Sequence, residues 1–489
     1  MANSAVKPKF TLRLLIDEEK NRVVLAEAGK DFVDVLCSLL TLPMGTIVRL
    51  LEKHQAPQSS VVGCFHNLYK SVSDMNVDNF ENQARKNLLL YPRSIKESYC
   101  RKLKLNIDDT KATKFFVCPY FASYESCSKV YSNTSSSQSR CGHSMTYEIQ
   151  VQEREQGDGS SGNKVDGVFP SCRTSFIITD DLKVALTSMG LVLNVLNDLG
   201  YAGFDNLQEM LIDVGFEEVL EFYTIPNYTF LNIVCSHLIH CLNVQVLTLL
   251  GCLFTSEAPL TDTFLRKHCM TRKRKALTPL GKESRFAGDS DKQLTLKVYV
   301  RKTDKAILYA ECREDFVDFL FSFLVIPLEF AWELSIDNVN MGCVGNLCRS
   351  VKDLSFEKQK EAIASKFSRK IKDVPSNGDR IVKFTSMDPS YGGVGFVKGE
   401  TNFIVSDDLV ITPMNSSSTI SLLSKLQMNI SDIEEQVINI SKAEAVSLLR
   451  ASLITTSVLT NGLSNFLLKM KPQAATQSTS KIPKSEKTL

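Results

Sequence analysis

The sequence predicts an α+β fold made twice, and three observations predict it. A stretch starting at Ala26, AEAGKDFVDVLCSLLTLP, returns from Ala310 as AECREDFVDFLFSFLVIP. Around it, residues 12–50 align without a gap on 296–334 with 12 identities in 39 positions, and GCFHNLYKSVSDM (63–75) aligns on GCVGNLCRSVKDL (342–354) with 7 in 13. A third block, FIITDDL at Phe176, matches FIVSDDL at Phe403. Blocks recurring in one order imply an internal duplication. We therefore expect two homologous lobes, each opening on an N-terminal β-hairpin followed by helices. The first repeat lobe spans 1–265 and the second 293–467, joined by a basic linker at 266–292 and followed by a disordered basic tail at 468–489.

The elements follow in chain order. KFTLRLLIDEEKNRVVLAEA and QLTLKVYVRKTDKAILYAE are β-prone runs around polar turns, which reads as a hairpin in each copy. Phe32, Leu36, Leu39 and Leu40 then fall on one face of a helix. Pro43 and Pro327 disfavour helical geometry in the residue before them, so this helix stops or kinks there before a second one continues. The blocks at Phe176 and Phe403 read as short strands leading to turns, and the segments after them have helical spacing. Between the third block and the recurrence of PLTD as VLTN, the first copy carries about 28 more residues than the second. They coincide with a stretch that has no Asp, Glu, Lys or Arg between Glu221 and Glu257. This apolar insertion, at about 225–253, is long enough for a membrane helix. Its interruption by Asn232, Ser236, His237, His240, Asn243 and Gln245 favours a buried helix or a tolerated insertion.

Composition narrows the class. An apolar fraction of 43% with 23% charged residues is that of an ordinary globular chain. The N-terminus MANSAVKPKFTLRLL lacks the apolar run of a signal peptide, and the fourteen cysteines are scattered, so we expect free thiols in a reducing compartment. The net charge of +2 hides a segregation: residues 266–285 hold eight Lys or Arg against Glu283, and 469–489 hold five Lys against Glu486. The folded bodies are thus mildly acidic, which argues against a broad nucleic-acid-binding face. TRKRK in the linker fits a nuclear-localisation patch as well as a merely solvated one.

The hairpin with its LTLP helix, then FVCP, a Cys-bearing loop ending in CGHSM, and finally SFIITDDL and PLTD resemble the plant-restricted family known only as domain of unknown function 674. The resemblance covers nearly the whole chain apart from the linker, the charge-free insertion and the tail. It implies a plant source and an interaction-type protein, and it carries over no activity, substrate or catalytic residue. The family tends to have a second cysteine just before the one matching Cys141, in a C-x-C-G pattern; Ser139 stands there in this chain.

The most chemical-looking segment is the Cys-rich loop at 114–150, which supplies Cys118, Cys127, Cys141 and His143. Thiolates and imidazole are what a tetrahedral structural zinc site needs, and a Ser/Thr-rich loop with little apolar content gains from a metal staple. The spacings are C-x8-C and C-x-H with no C-x2-C knuckle, so reduced cysteines in a flexible loop remain the competing reading. Asp31 and Asp34, with Asp315 and Asp318, lie three apart at an expected helix start. We read Asp31 as an N-cap and Asp34 as a first-turn charge favoured by the helix dipole, in preference to an acid/base pair or cation site. Asp180 with Asp181, and Asp407 with Asp408, follow β-prone runs where Asx-turns are the commoner use. No HExxH, P-loop or G-x-S-x-G pattern is present.

The expectation is therefore a non-enzymatic binding or scaffolding module, cytoplasmic or nuclear, with a protein partner and a structural zinc loop. Two alternatives stay open: a membrane-associated protein anchored through residues 228–254, and an enzyme with its site at the inter-lobe cleft.

Overall fold

The computed structural model describes residues 9–54, 61–153 apart from positions 95, 122, 124–126, 128–129, 134 and 136, then 175–215, 244–266, 294–335, 341–354, 369–372, 385–386, 395–426 and 430–469. The charge-free stretch up to residue 243, nearly all of the basic linker and nearly all of the tail lie outside the described residues. The chain is mixed α and β with several antiparallel sheets.

The first hairpin is β1 (Lys9–Asp17) and β2 (Arg22–Ala28). Phe10, Leu12, Leu14 and Ile16 alternate inward along β1, which is why this run is a half-buried strand. The chain continues through α1 (Lys30–Leu40), α2 (Met44–His54), α3 (Phe65–Asp74), α4 (Gln83–Leu90) and α5 (Glu97–Cys100). Next come β3 (Phe115–Val117), β4 (Val130–Tyr131), β5 (Tyr147–Glu153), β6 (Phe176–Thr179), β7 (Val184–Leu186), α6 (Met189–Asp198), β8 (Leu207–Gly215) and α7 (Val244–Thr255). The second half repeats the plan with β9 (Leu294–Arg301), β10 (Ile307–Arg313), α8 (Glu314–Ser322), α9 (Leu328–Leu334) and α10 (Val344–Leu354). It ends with β11 (Arg369–Lys372), β12 (Thr385–Ser386), β13 (Asn402–Ser406), β14 (Ile411–Pro413), α11 (Ser416–Leu426), β15 (Ile433–Ile440), α12 (Lys442–Ile454), α13 (Val458–Gly462) and α14 (Ser464–Lys469).

Two five-stranded antiparallel sheets carry the same strand order, β7-β6-β2-β1-β8 in one half and β14-β13-β10-β9-β15 in the other. The correspondence extends to backbone detail. Asn21 and Lys305, in the matched hairpin turns, have φ of 46° and 59°, and Leu182 and Leu409 both have φ of 62°. A bulky leucine in the left-handed region costs about 1 kcal/mol or more, so its use at both positions marks a turn that the surroundings impose.

The halves interlock. Pro43 and Pro327 face each other in an antiparallel bridge, with Met44 N–H donating to Ile326 O at 3.0 Å and Leu328 N–H donating to Leu42 O at 3.0 Å. The prolines end α1 and the helical run before α9, and the two breaks meet. From there α3 crosses to pack on β14, while α10 crosses to pack on β7. The amide of Cys64 donates to Ser452 O at 2.8 Å and that of Cys343 to Leu253 O at 2.9 Å. Ser71 Oγ accepts from Ile411 N–H and Ser350 Oγ from Val184 N–H, each at 2.9 Å. One buried apolar cluster runs through both halves, from Phe10 to Leu467.

Of the stretch 228–254, residues 244–254 form most of α7, whose side chains from Val246 to Leu253 are buried in that core. Among the described residues, no helix is long and apolar enough to cross a membrane.

The helix starts differ from the expected caps. The N-cap positions of α1 and α8 are Gly29 and Arg313, neither with a side-chain cap bond, because glycine has no side chain and a guanidinium has no acceptor to offer. Asp31 lies inside the first turn and pairs with Lys104, so it keeps the favourable dipole position without capping. Asp34 is buried, and Asp318 reaches out of its helix altogether to accept from Phe396 N–H at 2.7 Å and Val397 N–H at 2.9 Å.

Candidate functional site

The described cysteines are all unbridged, and three of them meet. The Sγ atoms of Cys118, Cys127 and Cys141 lie within 4.8 Å of one another, with Cys118 and Cys141 at 3.4 Å. Local structure explains how residues 23 positions apart converge. Cys118 follows β3, whose Phe116 exchanges backbone hydrogen bonds of 2.7 and 2.8 Å with Ser132, just beyond β4. Cys127 precedes β4 and its carbonyl accepts from Val130 N–H at 3.4 Å. Cys141 is presented by a tight turn in which Gly142 N–H donates to Ser139 O at 2.9 Å and Ser139 N–H to His143 O at 2.8 Å. Gly142 sits at φ 82°, which is why glycine stands in CGH.

This frame is shared between the halves. β5 pairs with β3 on one edge and with β11 of the second half on the other, while β4 pairs in parallel with β12. Cys118 and Cys127 are buried and Cys141 is half-buried. Burial pushes the Cys118 thiol up, whereas the Ser139 hydroxyl, the His143 backbone N–H and the His143 ring bring the Cys141 thiol down to about 5. Four thiolates around zinc stand about 3.8 Å apart, as Zn–S bonds of about 2.3 Å require. Three sulfurs already within 4.8 Å thus fit a soft divalent ion with little rearrangement. His143 is near but differently placed: its Nδ1 lies 3.4 Å from Cys141 Sγ and its ring packs 4.7 Å from that of Tyr120.

The paired carboxylates are engaged in holding segments together. Asp180 accepts from Thr261 N–H at 2.9 Å, from Thr261 Oγ1 at 2.8 Å and from Arg22 Nε at 2.9 Å. Asp407 does the same with Thr460 N–H at 2.8 Å and Oγ1 at 3.1 Å. Burial pushes both carboxyls up, Asp407 to about 6. The second copy has Ala306 where the first has Arg22, so Asp407 lacks the guanidinium that offsets burial at Asp180. The second aspartate of each pair faces the other half. Asn346 Nδ2 donates to Asp181 O at 2.8 Å and Oδ2 at 3.0 Å; Asn67 Nδ2 donates to Asp408 O at 2.8 Å and Oδ2 at 3.2 Å.

A family model described as "Protein of unknown function (DUF674)" matches residues 6–225, 228–380 and 368–443. The chain belongs to that family. Neither a curated protein nor a solved structure matches it. Within this DUF674 chain, the strand–turn block at Phe176 and PLTD are two sides of one contact, since Asp180 binds Thr261. Sequence reading missed that Asn67, Asn346, Ser71 and Ser350 are the cross-half ligands. The signal was present, because these four are identical pairs within the 7-in-13 block.

Proposed function

We propose that this DUF674 protein is a non-enzymatic binding or scaffolding module, two duplicated α+β lobes locked by exchanged helices, with a structural zinc ion stapling the cysteine frame of the first. The observation that carries the reading is the convergence of Cys118, Cys127 and Cys141 at the root of a Ser/Thr-rich loop poor in apolar anchors. Such a loop buries too little apolar surface to order itself, and a thiolate-bound ion supplies that order directly. The engagement of Asp180, Asp181, Asp318, Asp407 and Asp408 in backbone and amide contacts supports a structural over a catalytic use of the acidic motifs.

A protein partner belongs to the same reading, and the apolar side chains exposed at matched places in the two halves, Leu193 with Ile420 and Leu211 with Val437, are where its docking would first be tested by substitution. Free thiols at the frame suit a reducing compartment. Metal analysis of protein purified under reducing conditions tests the staple. Zinc near one equivalent per chain, abolished by Cys118→Ser and by Cys141→Ser, is the expected result; a metal-free wild type would overturn it.

A further inference from the structure

The three sulfurs offer three ligands to an ion that prefers four, and two further side chains approach them. Ser139 is buried, with its Oγ 3.0 Å from Cys141 Sγ and also hydrogen-bonded to Cys118. It therefore touches two of the three sulfurs, and its backbone is pinned on both sides by the turn that presents Cys141. His143 is exposed and approaches Cys141 through Nδ1, on a ring that packs against Tyr120. Its ring nitrogens do not fall within the mutually close set that the three sulfurs form.

We propose that the fourth corner is an oxygen corner furnished by Ser139, with His143 outside the coordination sphere as a hydrogen-bond partner of Cys141. The inference rests on the metal reading above and adds the identity of the fourth ligand. Its chemical meaning is specific. Three thiolates and one neutral oxygen leave a zinc site with one negative charge, where a fourth thiolate would leave two. The oxygen is also the hardest donor on a soft set, so this corner holds the ion least firmly and exchanges first. His143 then acts as hydrogen-bonded imidazoles do around metal sites, orienting a ligand rather than being one.

Cobalt(II) titration of the full-length reduced protein tests this, because sulfur-to-cobalt charge-transfer intensity counts thiolates and the d–d envelope reports the fourth donor. The wild type should show three thiolates. Ser139→Cys should add the intensity of a fourth and tighten cobalt binding by about 10-fold or more. Ser139→Ala should alter the d–d envelope and weaken cobalt binding. His143→Ala should leave the envelope unchanged. Far-UV circular dichroism of each variant establishes that it is folded. If His143→Ala shifts the envelope while both Ser139 variants leave it as in the wild type, imidazole is the fourth ligand and the assignment falls. A wild type that takes up no cobalt removes the metal reading itself, a different result from either pattern among the variants.

Discussion

Gly342 tests whether the halves are interlocked as described. It sits at φ 58°, and a Cβ placed there would lie 2.5 Å from Leu253 O and 2.8 Å from the Phe254 carbonyl, both backbone atoms of the other half. Alanine at this φ costs about 1 kcal/mol or more. The carbonyls it meets cannot swing aside as a flexible side chain would, and forced displacement of packed backbone adds about 1–3 kcal/mol. The same displacement breaks the 2.9 Å bond from Cys343 N–H to Leu253 O, worth about 1 kcal/mol. Gly342→Ala should therefore cost about 3–5 kcal/mol. Gly63→Ala should behave alike, since Gly63 shares φ 58° and its Cβ would meet the Ser452 and Leu453 carbonyls. Gly29→Ala is the control: φ is −76° and nothing lies within 4 Å of the added atom, so the change stays within about 0.5 kcal/mol. Urea unfolding followed by the fluorescence of Trp332, the single tryptophan, and by far-UV circular dichroism measures all three. Wild type should give one coincident transition. A Gly342→Ala cost no larger than that of Gly29→Ala would refute the reciprocal contact.

Asp407 makes stability depend on pH. Its carboxyl ionises near 3.8 in the unfolded chain and near 6 in the fold, so stability falls as pH rises from about 4 to about 6, by about 3 kcal/mol at most. Asp407→Asn should make that fall shallower at little cost at pH 7, as Asn can still accept from Thr460 N–H; the part that stays belongs to Asp318, whose carboxyl burial also pushes up to about 6. An unaltered profile would show that another group titrates. Asp180→Asn, by contrast, should destabilise at pH 7 by about 1–3 kcal/mol, because an amide nitrogen in place of Oδ2 can accept from neither Arg22 Nε nor Thr261 Oγ1; thermal melts of the two variants side by side read the difference. Chelation of a bound metal should strip hydrogen-exchange protection from the β5–β11 amides while leaving β1 and β9 protected, and equal loss in all four strands would argue against a local staple.

What was legible in the sequence follows from what periodicity encodes. The hairpins, the inward alternation of Phe10, Leu12, Leu14 and Ile16, and the breaks at Pro43 and Pro327 all come from local chemistry. The cross-half exchange was not legible in that way. Duplicate blocks carry the same contact chemistry twice, so nothing in GCFHNLYKSVSDM says whether Asn67 serves its own half or the other. The helix starts show a similar gap. Acidic residues near a helix N-terminus look like caps, yet the helix begins two residues earlier, at an N-cap glycine that has no side chain to offer. The thiol cluster was half legible: residue types in the loop were right for metal, while the C-x8-C spacing could not tell that β3, β4 and the Gly142 turn close it.

A duplicated fold keeps in both copies whatever the scaffold needs, so its specific properties belong where the copies part. The reciprocal amides, serines, glycines and aspartates are kept in both halves and account for the shared core. The cysteine frame breaks the symmetry. The first half supplies the sulfurs and β3–β5, and the second half contributes β11 and β12, which pair with β5 and β4 of that frame. A frame assembled this way ties strands of both halves together by backbone hydrogen bonds. On the metal reading proposed above, loss of the ion should loosen β11 and β12 of the second half together with β3, β4 and β5 of the first, which they join by backbone pairing.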